Sequence, residues 1–194
     1  MKVVLASGNA GKLRELDALL GPLGVSLVSQ SELGIESAEE TACTFVENAL
    51  IKARHASRQA GLPAIADDSG LAVDCLGGAP GVYSARFAGA HASDQDNNER
   101  LIRELGNAED TRAHYYCVIV YLNHAEDPAP LIATGRWHGS IIREPRGSNG
   151  FGYDPYFFDP LQGCTAAELE PTLKNRVSHR GRAVEQLLAL LEHA

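Results

Sequence analysis

The chain has 194 residues, of which 44% are hydrophobic and 22% are charged. This size and composition are typical of one folded domain and exclude a disordered or fibrous chain. The formal net charge of -8 at pH 7 argues against broad binding of nucleic acid, because an acidic surface repels a polyanion, whereas a small phosphate ligand needs only a few local cations.

The cysteines and the apolar runs indicate the cellular compartment. Four cysteines are spread along the chain without a C-x-x-C pair, which favours reduced thiols over a disulfide framework or a zinc site. The N-terminal apolar stretch is too short for a signal peptide, and no run approaches the ~18 apolar residues of a membrane span. We therefore expect a cytoplasmic protein that does not bind membranes.

In the first part of the chain, the predicted elements alternate between strand and helix. In order, apolar runs and leucine spacing predict a strand over 2–6, a helix from Lys12 to Gly21-Pro22, a strand over 25–29 and a helix over 45–60. A capping box at Thr44 and Glu47 begins the second helix. A short buried strand then follows and is predicted to break at Asp67 and Asp68.

The rest of the chain predicts an irregular segment, a helix and two long strands. Residues 76–89 contain too many glycines and prolines for a regular element and are predicted as an ordered loop. After it come, in order, a helix over 94–105, strands over 112–122 and 130–142 with a hairpin-like linker, and a C-terminal helix. A further capping box occurs at Thr165 and Glu168. The pattern as a whole predicts an α/β fold with a mixed sheet.

The first candidate site is a turn between the first strand and the first helix. It consists of Ser7, Gly8, Asn9, Ala10, Gly11 and Lys12. Glycines allow close approach to the backbone, the helix N-terminus carries partial positive charge, and Lys12 adds a full charge. The spacing is shorter than that of a Walker A loop. The segment is therefore either a phosphate-binding turn or a plain strand-to-helix turn with a solvated lysine.

The second candidate is a set of acidic residues. Side chains alternate faces along a strand, so Asp67 and Asp68 are expected to point in opposite directions. Carboxylates at the carboxyl end of a buried strand can hold Mg²⁺ together with substrate phosphates. Glu39 or Glu40, ahead of the second helix, could supply another metal carboxylate. The simpler alternatives are an Asp-Ser-Gly turn and favourable charge at a helix N-terminus.

Two further segments are candidates for ligand contacts. Asn48 and Lys52 lie four residues apart on one helix face, which is either solvated or turned toward the same phosphates. Residues 147–155 combine three glycines with aromatic residues and an aspartate. They predict a ring that stacks on a nucleobase, or else a turn with Phe151 in the core.

Basic residues precede the last helix. Lys174, His179 and Arg180 are either a solvated helix entry or polar contacts to a base edge, and the adjacent His179 and Arg180 are not expected to share a helical face. Together, the candidates provide phosphate donors, metal carboxylates, an aromatic ring and polar groups for a base. A nucleoside triphosphate with Mg²⁺ is the ligand that uses all of these.

Five motifs also occur in the order of a known family: LASGNAGKLREL, TFVENALIKA, AIADDSGLAVDCLGGAPGVYSARFAG, GFGYDP and SHRGRA. Over residues 1–190 the chain closely resembles the inosine triphosphate pyrophosphatase family of house-cleaning dITP/XTP pyrophosphatases. The resemblance implies one domain over residues 1–194, with an elongated mixed α/β sheet and two lobes around a central cleft. It also implies a homodimer.

The resemblance implies an activity and site residues as well. The reaction would be Mg²⁺-dependent hydrolysis of non-canonical purine triphosphates (ITP, dITP, XTP and dXTP) to the monophosphate and pyrophosphate, which keeps them out of DNA and RNA. Asp68 would be the general base and a metal ligand, Glu40 a second metal carboxylate, and Lys52 a phosphate contact beside the turn over 7–12. Other substrate contacts would be Ser69, Phe151, Gly152, Tyr153, Asp154, Lys174, His179 and Arg180.

Two alternatives share part of this machinery. A pyrophosphatase for other modified nucleotides, or a general nucleoside triphosphate hydrolase, would keep the phosphate and metal residues and differ only in the base pocket. A non-catalytic nucleotide-binding regulator would need neither Asp68 nor Mg²⁺.

Overall fold

The backbone forms a seven-stranded sheet and five α-helices over residues 2–192, which are the residues that this computed structural model describes. The strands are β1 (Lys2–Leu5), β2 (Ser26–Ser29), β3 (Ala64–Val73), β4 (Arg112–Leu122), β5 (Leu131–Ile141), β6 (Phe157–Asp159) and β7 (Cys164–Thr165). The helices are α1 (Ala10–Leu20), α2 (Phe45–Ala60), α3 (Asp94–Leu105), α4 (Pro171–Val177) and α5 (His179–Leu191). Short 3₁₀ helices lie at Gly21–Leu23, Asp74–Leu76 and Gly81–Arg86.

The sheet is mixed, as predicted. Its strand order is β2-β1-β3-β4-β5-β6-β7, with β1 parallel to β2 and β3, and with β6 antiparallel to β5 and β7. The register places Leu5 of β1 opposite Ile65 of β3. Two residues beyond this pair, β1 has given way to the turn at Ser7 while β3 continues to Asp67. The register therefore brings the glycine-bearing turn beside the two aspartates.

The chain divides into two compact units. The first comprises the described residues up to Asp68, residues 117–135 and the described residues from Arg180 onward. The second comprises Ser69–Tyr116 and Arg136–His179. No helix within residues 2–192 has the length and hydropathy needed to cross a membrane.

Each unit has its own apolar core. In the first unit, side chains of β1, β3 and β4 pack with leucines of α1 and with the apolar face of α5. Val184 and Leu187 of α5 are buried there, as predicted, and the buried Cys117 is part of the same core. In the second unit, the core surrounds the buried Trp137 and Phe157 and includes Leu101.

Three local predictions were wrong. The strand β3 does not break at Asp67 but continues to Val73, because partners distant in sequence compensate its buried carboxylates. The predicted loop over 76–89 contains the 3₁₀ helix Gly81–Arg86. Thr165 does not start a helix, because it pairs with Phe158 in the sheet. Its N–H donates to the Glu168 carboxylate at 2.7 Å within a turn. The next helix, α4, begins only at Pro171.

Candidate functional site

The turn after β1 is ordered by its own side chains. The helix α1 begins at Ala10, two residues before the predicted start, because Asn9 is its N-cap: Asn9 Oδ1 accepts from the N–H groups of Gly11 at 2.8 Å and Lys12 at 3.1 Å. Ser7 Oγ accepts from the Asn9 N–H at 3.2 Å. These bonds shape a compact turn at a helix N-terminus, which is the geometry that binds anions.

Asp67 is the buried centre of a charge cluster in the first unit. Its Oδ2 accepts from Arg180 Nε at 3.2 Å and Nη2 at 3.0 Å, and its Oδ1 lies 3.1 Å from Lys12 Nζ. Burial disfavours the charged carboxylate, but Lys12, Arg180 and Lys52 together hold the pKa of Asp67 well below its usual range. Asp67 is therefore ionised at neutral pH and fixes the ammonium group of Lys12 beside the turn.

Arg180 is itself fully buried, at 1% exposure, and connects three elements of the first unit. Besides Asp67 of β3, its guanidinium bonds to the carboxylate of Glu15 in α1. Burial lowers the pKa of Arg180, and the two carboxylates more than reverse that shift, so the net pKa is raised. The side chain thus acts in this structure as a charged brace between α5, β3 and α1.

Glu40 and Asp68 converge on one nitrogen. Lys52 Nζ donates to Glu40 Oε1 at 2.8 Å, to Asp68 Oδ1 at 2.9 Å and to the backbone carbonyl of Asp67 at 2.9 Å. Two carboxylates that are 28 positions apart in the sequence therefore face the same point. The two neighbouring aspartates differ in their direct ion pairs: Asp67 pairs with Lys12 and Arg180, and Asp68 pairs with Lys52.

The Asp68 carboxylate keeps one oxygen available. Asp68 Oδ2 is buried and has no hydrogen-bond partner among residues 2–192. Burial raises the pKa of Asp68 above its usual range, although Lys52 and Lys12 oppose the shift. Burial lowers the pKa of Lys52, but the neighbouring carboxylates of Asp68, Asp67 and Glu40 raise it by more. The net pKa of Lys52 is therefore raised, and its ammonium group stays charged. Since a buried acceptor without a partner is unfavourable, this oxygen is suited to a cation or a water molecule.

In the second unit, Asp154 organises the segment that was predicted to meet a nucleobase. Its Oδ2 accepts from the Phe151 N–H at 2.9 Å and from Lys174 Nζ at 2.8 Å, and its Oδ1 accepts from the Tyr115 hydroxyl at 3.1 Å. Lys174 and Asp154 are both at least 95% buried. Lys174 Nζ also lies 5.1 Å from the centroid of the Phe151 ring, within the range of a cation–π contact.

The backbone before Phe151 must be glycine. Gly150 has φ +76°, and a Cβ built there would lie 2.0 Å from Asp154 Oδ2 and 3.2 Å from Lys174 Nζ. A side chain would both strain the backbone and push the ion pair apart. The glycine therefore lets the chain pass directly over the buried pair.

Aromatic stacking places His179 in the same unit. Its ring stacks on Tyr115, with centroids 4.6 Å apart and an interplanar angle of 9°. Tyr153, by contrast, is a core residue: its ring is 4% exposed and its hydroxyl donates to the Ser84 carbonyl at 2.7 Å. Ser69 directly follows Asp68 in β3 and is partly buried.

The structure separates the predicted residues into two groups. Lys12, Glu40, Lys52 and Asp68 meet in the first unit, and Phe151, Asp154, Lys174 and His179 meet in the second. Arg180 contacts Asp67 and Glu15 in the first unit, so it and the adjacent His179 contribute to different clusters, as the helical spacing predicted. Its contact with a nucleobase stays a prediction.

Sequence reasoning missed two partners in these clusters. Glu15 lies within the first of the five motifs, one turn after Lys12 on α1, but nothing in that motif points to Arg180 as its partner. Tyr115 occupies an inward position of the alternating strand β4, where a hydroxyl needs a buried partner, but nothing in the sequence points to Asp154 as that partner.

The chain is similar in sequence and in fold to known proteins. The chain is 58% identical to a dITP/XTP pyrophosphatase from Escherichia coli O157:H7, covering 99% of this chain and 98% of the relative. It is also 58% identical to one from Yersinia pestis, covering 100% and 99%. A Coxiella burnetii HAM1 protein has a similar fold, with a TM-score of 0.92, 50% identity and full coverage of both chains.

A second solved structure, the Staphylococcus aureus Ham1 protein, has a TM-score of 0.88 at 39% identity and covers 100% of this chain and 99% of its own. A model of the Ham1 family matches residues 3–190, nearly the whole length. The resemblance noted from the five motifs is thus confirmed over the chain. This chain belongs to the Ham1 family.

Proposed function

We propose that this chain hydrolyses ITP, dITP, XTP and dXTP to the monophosphate and pyrophosphate, and so removes these nucleotides from the precursor pool. The observation that carries the proposal is the convergence of Glu40 and Asp68 on one point, beside the turn that Lys12 flanks. Curated relatives at 57–58% identity are named dITP/XTP pyrophosphatase, which supports this substrate class. On the same resemblance we propose a homodimer in the cytoplasm.

The residues around Lys52 fit a magnesium ion. Mg²⁺ prefers oxygen ligands and commonly takes one or two carboxylates together with substrate phosphates. Asp68 offers a buried oxygen that has no other partner in the described chain, and Glu40 is partly exposed beside it. No group of three or more His, Cys, Asp or Glu side chains suited to a metal occurs within residues 2–192, so the phosphates and water would complete the set. When bound, Mg²⁺ would supply Lewis-acid stabilisation of charge on phosphoryl oxygens.

The chain's own residues account for the bond changes. Asp68 accepts a proton from a water molecule whose oxygen attacks the α-phosphorus. The bond from that phosphorus to the bridging oxygen breaks, and pyrophosphate leaves with the electron pair. Lys12 and Lys52 contribute two fixed positive charges close to Asp68, where charge develops on the phosphoryl oxygens.

The turn at residues 7–12 is suited to the triphosphate. A Cβ added to Gly8 would have Ser31 Oγ, at 3.8 Å, as its nearest contact outside its chain neighbours, so packing does not require glycine at this position. The absence of a side chain is then useful mainly to a ligand that approaches the backbone closely. Phosphate oxygens at the N-terminus of α1 are such a ligand.

The base is selected by hydrogen-bond complementarity. Hypoxanthine and xanthine carry a carbonyl at purine position 6, where adenine carries an amine. A donor such as Lys174, held by Asp154 beneath Phe151, pairs with the carbonyl and opposes the amine, which leaves buried donors without acceptors. Phe151 supplies a ring for stacking.

A substrate panel tests the proposal. The purified protein is assayed with ITP, XTP, dUTP, ATP and GTP, with and without Mg²⁺, and pyrophosphate release is measured. We expect the kcat/KM for ITP and XTP to exceed that for ATP by at least about 100-fold, since a site built to pair a carbonyl rejects the amine strongly. Equal rates on all five would indicate a general hydrolase, and preference for dUTP would indicate a pyrimidine enzyme. Binding without pyrophosphate release would indicate a regulator.

A further inference from the structure

Helix α3 holds the loop that carries Phe151. The Gly152 N–H donates to Asp94 Oδ2 at 2.7 Å, and the Gly152 carbonyl accepts from Asn98 Nδ2 at 2.9 Å. On the other side, the Phe151 N–H donates to Asp154 Oδ2 at 2.9 Å. Three side chains therefore fix the polar backbone groups at and next to Phe151.

This loop needs such tethers because its backbone is intrinsically free. Gly150 and Gly152 flank Phe151, and both have positive φ, +76° and +63°. Glycine populates many conformations in the absence of other restraints. A hollow of about 410 Å³ opens beside the loop and is lined by Asp94, Asn98 and Phe151 among others, so close packing does not restrain the loop on that side.

Asp94 and Asn98, which together hold Gly152 and are called the clamp below, are themselves well anchored in α3. Asp94 and Asn98 lie one turn apart on the same helix face, and Asn98 Nδ2 also donates to the Asp94 carbonyl at 2.9 Å. The helix start is fixed by a capping box between Ser93 and Asp96. Its second half is fixed by Leu101, which is fully buried in the core of the second unit.

We propose that Asp94 and Asn98 are positioning residues that set the orientation of the Phe151 ring, and thereby the affinity and selectivity for the purine base. The role of the ring in base binding rests on the proposed function; the clamp itself rests only on the bonds to Gly152. Neither residue is among those proposed to act on the phosphates, which lie in the first unit. Their loss should therefore act on KM and on base selectivity rather than on the chemical step.

Steady-state kinetics of three variants test the role in base binding. We expect Asp94→Ala and Asn98→Ala each to raise the KM for ITP about fivefold, the effect of losing one hydrogen bond, with kcat changed less than about twofold. The ratio of kcat/KM for ITP over ATP should fall by a similar factor, because a misplaced base pairs less well with the donor at Lys174. Asp94→Asn keeps an acceptor oxygen and should restore most of the affinity.

A matched control and a second measurement separate the clamp from a general structural role. Gln95→Ala removes a neighbouring exposed side chain that bonds Glu99, and it should leave both KM and selectivity unchanged. Hydrogen exchange of the intact protein should show the Gly152 amide exchanging about tenfold faster in Asp94→Ala than in the wild type or in Gln95→Ala.

The outcomes are distinct. A fall in melting temperature and kcat with an unchanged KM would show that Asp94 only stabilises α3, and would overturn the proposal. An unchanged exchange rate of the Gly152 amide in Asp94→Ala would show that Asp94 does not restrain the loop. Faster exchange with an unchanged KM for ITP would show that the restraint has no role in base binding. If the wild type hydrolysed neither ITP nor XTP, the proposed function and the base role would fail together, while the exchange data would still decide the clamp.

Discussion

Replacing Arg180 by methionine tests the buried charge cluster of the first unit. Methionine has a similar length but no charge, so the substitution removes the partner of Asp67 without leaving a large cavity. Asp67 is completely buried and would keep its ion pair with Lys12 at 3.1 Å, while the Glu15 carboxylate would lose its bond to the guanidinium. The variant therefore leaves a buried carboxylate without one of the cations that compensate its charge.

The magnitude follows from the burial. Removing one partner of a buried ion pair destabilises a protein by about 3–5 kcal/mol, because the other charge stays in a poorly solvating environment. Since Lys12 still compensates Asp67 in part, we expect a loss near the lower end, about 3 kcal/mol in the free energy of unfolding. The exposed Arg182→Met, two residues along the same helix, should change stability by less than about 0.5 kcal/mol.

The loss should also depend on pH. The pKa of Asp67 is depressed in the fold, so its ion pairs stabilise the protein above the unfolded pKa of about 3.9, and this stability disappears as the pH falls through the folded pKa. In Arg180→Met the folded pKa of Asp67 rises, because a cation is missing. The difference from the wild type should then be largest at pH 7 and should shrink as the pH falls below the raised pKa of Asp67 in the variant.

Urea unfolding followed by circular dichroism at pH 7.0 and 4.5 measures both quantities. The double variant Asp67→Asn with Arg180→Met removes both charges and should be less destabilised than the sum of the single variants, since residue 67 no longer carries a buried charge that lacks its guanidinium partner. A loss below about 1 kcal/mol at pH 7, or an additive double variant, would refute the account of Asp67 as a charge that Arg180 must compensate.

Three other predictions concern catalysis, the backbone and thiol reactivity. Asp68→Asn should lower kcat for pyrophosphate release from ITP by about 10²–10⁴ and change nucleotide affinity, measured by calorimetry, much less; near-normal turnover would exclude Asp68 as the base. Gly150→Ala should displace the Asp154 carboxylate, because the added Cβ would lie 2.0 Å from it. We expect the unfolding free energy to fall by about 1–3 kcal/mol in urea titrations. Unchanged stability would contradict the close approach of the Gly150 backbone to Asp154. Burial raises the pKa of Cys117, so iodoacetamide at pH 8 should label the exposed Cys43 and spare Cys117 in the folded protein, as read by peptide mass spectrometry; labelling of both at equal rates would contradict that burial.

Local patterns were sufficient for most of the regular elements. The apolar spacing predicted α3 over its observed range, Asp94–Leu105, and Thr44 caps α2 as expected, with Oγ1 accepting from the Glu47 N–H at 3.3 Å. These features depend on neighbours three or four positions away, which the sequence displays directly. For the carboxylates, the local pattern left Glu39 and Glu40 as alternatives, and the family resemblance pointed to Glu40 together with Asp68.

Tertiary structure alone decided which charges compensate each other. Two adjacent aspartates in an apolar strand predict a break, yet β3 continues, because Arg180 reaches Asp67 from 113 positions away and Lys12 meets its other oxygen. The capping pattern at Thr165 failed for the same reason, since pairing with Phe158 outweighs a local cap. Strand pairing and buried ion pairs join residues that are distant in the chain, and their energies exceed the local preferences from which a sequence is interpreted.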